Sequence, residues 1–350
     1  MDRPGTILAV VDDNLEWMLS DYMTSKTAQS TMLKLLEQGF SFHQVVPPMN
    51  NINRYTESMH FWLPIYATGK TTAYYYPRLR GNLYRHSITV VPGQCVHYSS
   101  TIGPGSKNEI TMFSTNPRLV DAFEQQFHEH AALCRPALTA HRNLEDAHSC
   151  FQRFYGCRGS TIQLVNSLSI RSMPRELLKR FAQEAGTTVA KNTFQMFLED
   201  VPDFESCLSQ EPYIDMCRLA SAEEVLSGTV PAASSDNIGF GQPFYTAETY
   251  CMHLKNILRL MERHENYFFL PLSEKKYPDY DLLVNEDGMA LISRTAEPLL
   301  TLEVRREQLV IAFREHLLRM ADAAGYQGIY KEKARMELRA LIHRLSSAMN

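Results

Sequence analysis

TILAVVDDN at residues 6–14, TMLKLLEQG at 31–39 and FSFHQVVPP at 40–48 read, in that order, as strand, helix and strand. The first stretch is β-rich through Val11, and Asp12-Asp13-Asn14 is suited to capping a helix that begins near Leu15. The second ends at Gly39, a normal helix stop, and the third is closed by Pro47-Pro48. This alternation predicts parallel pairing in an α/β sheet. Outward from it, a helix around Trp62 leads to a strand TTAYYY at 71–76. Strands are expected at Ser87–Val91 and Gln94–Ser99 around a turn at Pro92-Gly93, then at Glu109–Phe113. The segment Pro117–Ala132 reads as a helix with proline in its first turn.

The middle of the chain is less regular. Helical pieces are expected at Pro174–Ala185 and Phe194–Leu198, followed by TVPAASSDNIGFGQP (229–243), whose composition is that of a surface connection. Regular patterns resume with a helix at Ala247–His264 and strands at Tyr267–Pro271, Asp281–Val284, Met289–Ser293 and Leu299–Val304. A helix from Arg306 to about Ala323 and a basic, amphipathic helix Lys331–Ser346 complete the chain. A weak repeat runs through this order. Leu119-Val120-x-Ala122-Phe123 matches Leu309-Val310-x-Ala312-Phe313, LKLLEQ (33–38) matches LRLMER (258–263), and Pro92-Gly93 matches Asp287-Gly288. The expected division is therefore a first half at 1–144, a helical connecting region at 145–241, and a second half with a C-terminal helix at 242–350.

Composition narrows the function. With 350 residues, about two domains are expected. Lys and Arg number 35 against 39 Asp and Glu, a net charge of −4 that disfavours bulk, non-specific nucleic-acid binding. No apolar run is long enough for a membrane-spanning helix, and no secretory leader is expected at the start, so the expected compartment is the cytoplasm. Seven scattered cysteines without a C-x-x-C pair predict reduced thiols and no zinc ribbon.

Several motifs have plainer roles open to them. ILAVVDDN resembles the opening of a response-regulator receiver, but the strand at Phe40–Val46 runs into Pro47-Pro48-Met49-Asn50 without a phosphoacceptor Asp, which favours helix capping. His128-Glu129-His130 with Cys134 places only His130 and Cys134 on one helix face. A metal site would need His141, His148, Cys150 or Cys157 to converge on them, so a polar helix end and no metal is the expectation. Gly103-Pro104-Gly105-Ser106-Lys107 lacks Walker spacing, Ile238-Gly239-Phe240-Gly241 precedes no phosphate-binding helix, and no G-x-S-x-G elbow occurs; no cofactor is expected. The unusual stretch is Tyr74-Tyr75-Tyr76-Pro77-Arg78-Leu79-Arg80 followed by Tyr84-Arg85-His86. Arg78, Arg80, Arg85 and His86 are candidate anion contacts and Tyr74 and Tyr76 candidate walls, since guanidinium forks suit phosphate or carboxylate. Arg78 and Arg80, two apart in an extended segment, are expected to face one cavity. The plainer alternative is a solvated loop with tyrosines packing a sheet edge.

The block WLPIYATGKTTAYYYPRLRGNLYRHSITVVPGQCVHYSS (62–100) resembles the effector region of bacterial Cro-type helix-turn-helix transcriptional regulators, a region with a phospholipase-D-like fold. The resemblance continues through Asn116–Val120, Leu133–Pro136, Ser172–Pro174 with Glu176–Leu178, Glu223–Pro231 and Tyr277–Val284. It implies an α/β protein of two related phospholipase-D-like halves, a ligand site between them, a homodimer, and a small anionic effector. Two departures qualify it. No helix-turn-helix pattern precedes Thr6, so DNA contact is expected only through a domain absent from this chain. The family's H-x-K-x4-D chemistry is represented by His86 alone, with Ile88 at the lysine position and Gly93 at the aspartate position. The second half carries no such motif around Asp281–Val284. The expectation is a non-enzymatic regulatory module; the competing reading is a phosphodiesterase or nuclease using His86.

Overall fold

The structure is a computed structural model that describes residues 5–11, 22–46, 61–77, 84–102, 110–232, 243–274, 277, 280–295, 299–325 and 330–349. The chain divides into two compact units, Met1–Thr139 and Ala140–Asn350. The first contains, in order, β1 (Thr6–Val11), α1 (Tyr22–Glu37), β2 (Ser41–Val46), α2 (61–67), β3 (Thr71–Tyr75), β4 (Tyr84–Val91), β5 (Cys95–Ile102), β6 (Ile110–Ser114), α3 (Pro117–Ala132) and β7 (Arg135–Pro136). Strand β8 (Leu138–His141) spans the division and opens the second sheet. There follow α4 (Leu144–Tyr155), β9 (Thr161–Val165), a 3-10 turn at Ile170–Ser172, α5 (Arg175–Glu184), α6 (Thr188–Cys207), β10 (Tyr213–Arg218) and α7 (Ala222–Leu226). The chain then forms α8 (Ala247–Arg263), β11 (Tyr267–Leu272), β12 (Tyr280–Asn285), β13 (Met289–Arg294), β14 (Thr301–Val304), α9 (Glu307–Ala323) and α10 (Tyr330–Met349). The α/β class read from the sequence is therefore the observed one.

Among the described residues each unit builds a seven-stranded sheet, in the orders β6-β5-β4-β1-β2-β3-β7 and β11-β10-β9-β12-β13-β14-β8. The two share one plan. β1, β2 and β3 run parallel, as do β9, β10 and β11. The fourth strand of each half, β4 or β12, lies antiparallel to its first, and the fifth and sixth continue antiparallel outward. Parallel neighbours require helical crossovers, which is why α1 and α2 separate the first three strands and α5–α8 separate their counterparts.

Two of the three repeat matches fall on equivalent positions in this plan. Helices α3 and α9 both follow the sixth strand of their half. Gly93 (φ +68°) and Gly288 (φ +105°) both turn the chain between fourth and fifth strands, in a left-handed conformation that suits glycine. The third match does not hold: LKLLEQ lies on α1 before a second strand, LRLMER on α8 before a third. The three-part division also needs correction. Region 145–241 is no helical connector, because it supplies β9 and β10, which pair in the interior of the second sheet. Of the strand-and-helix readings, the helix start near Leu15 lies outside the described residues.

Both sheets are covered by apolar helix faces. In the first unit Leu8, Val10, Val45, Ile88, Val90 and Val96 pack with Val120 and Phe127 of α3. The opposite face carries buried Gln44, whose Nε2 donates to the buried Tyr66 hydroxyl of α2 at 3.0 Å. Helix starts are capped as their sequences dictate: Asn116 accepts from the Arg118 N–H at α3, Asn143 from Asp146 at α4, and Ser221–Glu224 form a reciprocal capping box at α7. Among the described residues no helix is long and apolar enough to cross a membrane.

Candidate functional site

The cleft that contains His86, with Tyr76 at its border, lies on the α3 face of the first sheet. β4 and β5 pair antiparallel with Ile88 opposite Tyr98, and β1 sets Val10 opposite Ile88. These residues and the last turns of α3 enclose a cleft of about 380 Å3, lined by Val10, His86, Ile88, Tyr98, Gln126, Glu129, His130 and Leu133. A volume of this order fits a small ligand. The Tyr98 hydroxyl and His86 Nδ1 lie 2.9 Å apart and share one hydrogen, their rings stacked at 5.9 Å. Tyr98 is itself braced by the Phe123 ring at 5.7 Å. The Glu129 carboxylate, which lines the same cleft, accepts from Gln125 Nε2 at 3.0 Å.

The other candidates divide by strand periodicity. Tyr76 meets the His130 ring at 6.1 Å and so borders the cleft. Tyr74, two residues earlier, packs against the apolar cluster beneath α3. Arg85 adjoins His86 in an extended strand and therefore points to the opposite sheet face, so the two are not joint contacts for one ligand. This corrects the grouping read from the sequence. Arg78 and Arg80 lie outside the described residues. Tyr98 and Gln126 were not singled out by the sequence. Tyr98 was findable in principle, because the hairpin turn at Gly93 fixes which β5 residue sits beside His86 and Ile88.

The repeat also locates the second half's counterparts of the motif positions. Leu8 pairs with Val90 and Ile162 with Val284, so the fourth strands are in equivalent register. His86 then corresponds to Tyr280 and Ile88 to Leu282. Neither half sets a lysine two residues from a histidine on this strand.

A second cluster bears on the metal expectation. His128 lies 4.0 Å from Glu124 on the helix surface rather than in a donor set with Cys134. Among the described residues, His141, Cys150 and Glu303 bring ligand atoms within 4.8 Å of one another. The sequence had marked His141 and Cys150 but not Glu303, which sits 153 residues beyond Cys150. The donor set does not fit a cation. Glu303 Oε2 already accepts from Arg153 at 2.8 Å, His141 at 2.9 Å and the Cys150 thiol at 3.4 Å, while Arg305 binds Oε1. Burial works against the carboxylate's ionisation, but the bonds from Arg305, Arg153 and His141 outweigh it and hold the pKa down to about 2. Burial and the neighbouring Glu303 push the Cys150 thiol up to about 12, so it is neither thiolate nor nucleophile near neutrality. The cluster is a carboxylate clamp that ties β8, α4 and β14 together.

The third feature was invisible in the sequence. Arg171, in the 3-10 turn, is buried and stands between two hollows of about 400 and 920 Å3. Its guanidinium lies 4.8 Å from both the Tyr155 and Phe204 ring centroids, and its Nε donates to Asp200 at 2.9 Å. Replacing Asp200 by alanine strands this cation. Because the Asp200 side chain is 20 % exposed, part of the penalty is screened, and the expected loss is about 2 kcal/mol in urea unfolding. An unchanged midpoint would show that Arg171 is held by its aromatic neighbours alone.

Compared with known proteins, the chain matches no family model and no curated sequence.

Proposed function

We propose that this chain is a non-enzymatic, ligand-sensing regulatory module whose first unit takes a small anionic ligand in the cleft of His86, Tyr98, Gln126 and His130. The observation that carries the reading is chemical. The cleft presents two imidazoles, a phenol and an amide, with the Glu129 carboxylate at the same wall, to a volume of about 380 Å3, yet Ile88 stands where phosphoryl-transfer chemistry of the phospholipase-D type needs its lysine. Imidazole, phenol and amide groups donate hydrogen bonds to phosphate or carboxylate oxygens. Without a lysine, and with Tyr280 and Leu282 at the second half's positions, the groups that would stabilise a developing phosphoryl charge are lacking. The resemblance of residues 62–100 to regulator effector regions supports the same reading.

A thermal-shift series with inorganic phosphate, small phosphate monoesters and dicarboxylates tests it. A ligand at about 100 times its Kd adds about 2.7 kcal/mol, a rise on the order of 5–10 °C for a domain of this size. The His86→Ala/His130→Ala double variant is expected to remove the shift while melting, unliganded, near the parent. Equal shifts in parent and variant would place binding elsewhere. The same proteins are expected to show no turnover of a generic phosphodiester such as bis(p-nitrophenyl) phosphate. Turnover that disappears in His86→Ala would establish the phosphodiesterase alternative.

A further inference from the structure

We propose that the ligand of the first unit's cleft is a hydroxyaryl acid, an aromatic ring that carries a hydroxyl at one end and an anionic group at the other. This rests on the anion reading above and specifies the rest of the molecule. The second unit holds a phenol ring, supplied by its own chain, at the equivalent place.

By strand register His86 corresponds to Tyr280 and Tyr98 to Ile292. The matching helix sequences Leu119–Phe123 and Leu309–Phe313 align Gln126 with His316 and Glu129 with Arg319. Both helices pack on the first, fourth and fifth strands of their sheets. Tyr277, just ahead of β12, joins the strand position to the helix position. Its ring stacks on Tyr280, with centroids 5.0 Å and planes 17° apart, and its hydroxyl lies 2.7 Å from His316 Nε2. His316 is buried, whereas Gln126, at the same helix position, is exposed and lines the open cleft. One half thus binds a phenol of its own, and the other keeps that place open.

Tyr98 is not the first unit's substitute for Tyr277. It comes from the fifth strand, where the second unit has Ile292, and its hydroxyl is engaged by His86 Nδ1 at 2.9 Å. With Tyr98 in place about 380 Å3 stays open beside Gln126. A cavity of about 150 Å3 already takes a benzene-sized ring, so a ring and an anionic substituent both fit. Glu129, on the same wall, selects for the hydroxyl. A carboxylate side chain only accepts hydrogen bonds, and a small carboxylate ligand, which also only accepts, would oppose it. A phenol brings the O–H donor that Glu129 and the Gln126 amide oxygen can both receive. His86 and His130 then serve the anionic end, as imidazoles donate to carboxylate or phosphate oxygens.

Titration calorimetry of the full chain at pH 7 with 4-hydroxybenzoate, benzoate and trans-4-hydroxycyclohexanecarboxylate tests the proposal. All three carry the carboxylate; benzoate lacks the hydroxyl and the cyclohexane acid lacks the aromatic ring. 4-Hydroxybenzoate is expected to bind about three- to tenfold more tightly than either, the range for one aromatic contact or one hydrogen bond. Gln126→Ala is expected to lower its affinity to that of benzoate, and Gln126→His, which copies the second unit's phenol partner, to restore it. Gln126 is exposed on α3, so both variants are expected to melt with the parent. Equal affinities for the three acids overturn the proposal and leave a plain anion site. Binding of inorganic phosphate but of none of the acids does the same. If neither phosphate nor any acid binds, the anion reading falls and the proposal with it. A preference for 4-hydroxybenzoate that survives Gln126→Ala unchanged places the ring elsewhere and also overturns it.

Discussion

Replacing Glu303 by alanine is expected to destabilise the second unit by about 3–5 kcal/mol, the range for removing one partner of a buried ion pair. The carboxylate is 8 % exposed and joins three segments: His141 of β8, Cys150 and Arg153 of α4, and Arg305 just beyond its own strand. With the side chain gone, the thiol and imidazole lose their acceptor and two guanidiniums face each other without a counter-charge. Arg153 and Arg305 are roughly half exposed and turn partly to water, which keeps the loss at the lower end of the range. Glu303→Gln separates charge from shape. It retains an acceptor oxygen but introduces N–H groups facing Arg153 and Arg305, so most of the loss is expected to persist. Urea unfolding at pH 7 measures both variants. An alanine variant within 1 kcal/mol of the parent would mean that the clamp is incidental and that α4 is held by Phe151 and Phe154 alone.

How legible such features are in a sequence depends on how far apart their parts lie. The first unit's strands were readable because β1, β2, β4 and β5 alternate or run apolar between turn signals. β9 and β10 were missed for a physical reason. TIQLV and YIDMCR place Gln163 and Asp215 at buried, mid-strand positions, and a polar residue there breaks the pattern of a core strand. Their cost is met by partners that sequence distance conceals: Gln163 Nε2 and the Tyr267 hydroxyl both donate to Asp215, at 2.7 and 2.8 Å. The register makes Gln44 of the first unit the counterpart of Asp215, and it too is buried and bonded to a tyrosine hydroxyl. A buried polar side chain on the second strand is thus part of the repeated plan. Helix α6 was seen only at residues 194–198, because Pro202 reads as a stop although the helix runs through it to Cys207. For the candidate cleft, composition identified His86 and the bordering Tyr76 but not Tyr98, which lines it. It also grouped Arg85 with His86, where the two-residue period of a strand separates them.

A second buried set of hydrogen bonds, centred on His253, is expected to make the second unit acid-sensitive well above the carboxylate range. His253 of α8 is fully buried, and its Nε2 lies 3.0 Å from the Ser172 hydroxyl and its Nδ1 2.7 Å from that of Tyr245. Burial drives its pKa from 6.5 down to about 3, only partly offset by hydrogen bonds to Ser172 and Ser169. The sign follows from proton counting. Between pH 6.5 and 3 the unfolded chain binds a proton at this imidazole that the folded chain does not. Stability is therefore full above pH 6.5 and falls with acidification through that window, by about 5 kcal/mol at most. His148 and His264 are also lowered by burial and add to the slope in the same direction, whereas the Glu303 contribution is lost only below about pH 4.5. The decisive comparison is His253→Gln, which keeps an amide donor and acceptor between Ser172 and Tyr245 but cannot titrate. It is expected to cost about 1–2 kcal/mol at pH 7 through imperfect bonding, and to reduce the slope of unfolding free energy between pH 6.5 and 4.5 by close to one proton. Parent and variant curves should therefore converge on acidification and cross near pH 5. Parallel curves across that interval would mean that His253 accepts its proton without unfolding the unit, which the two short hydroxyl contacts and the absence of an adjacent carboxylate among its described partners argue against.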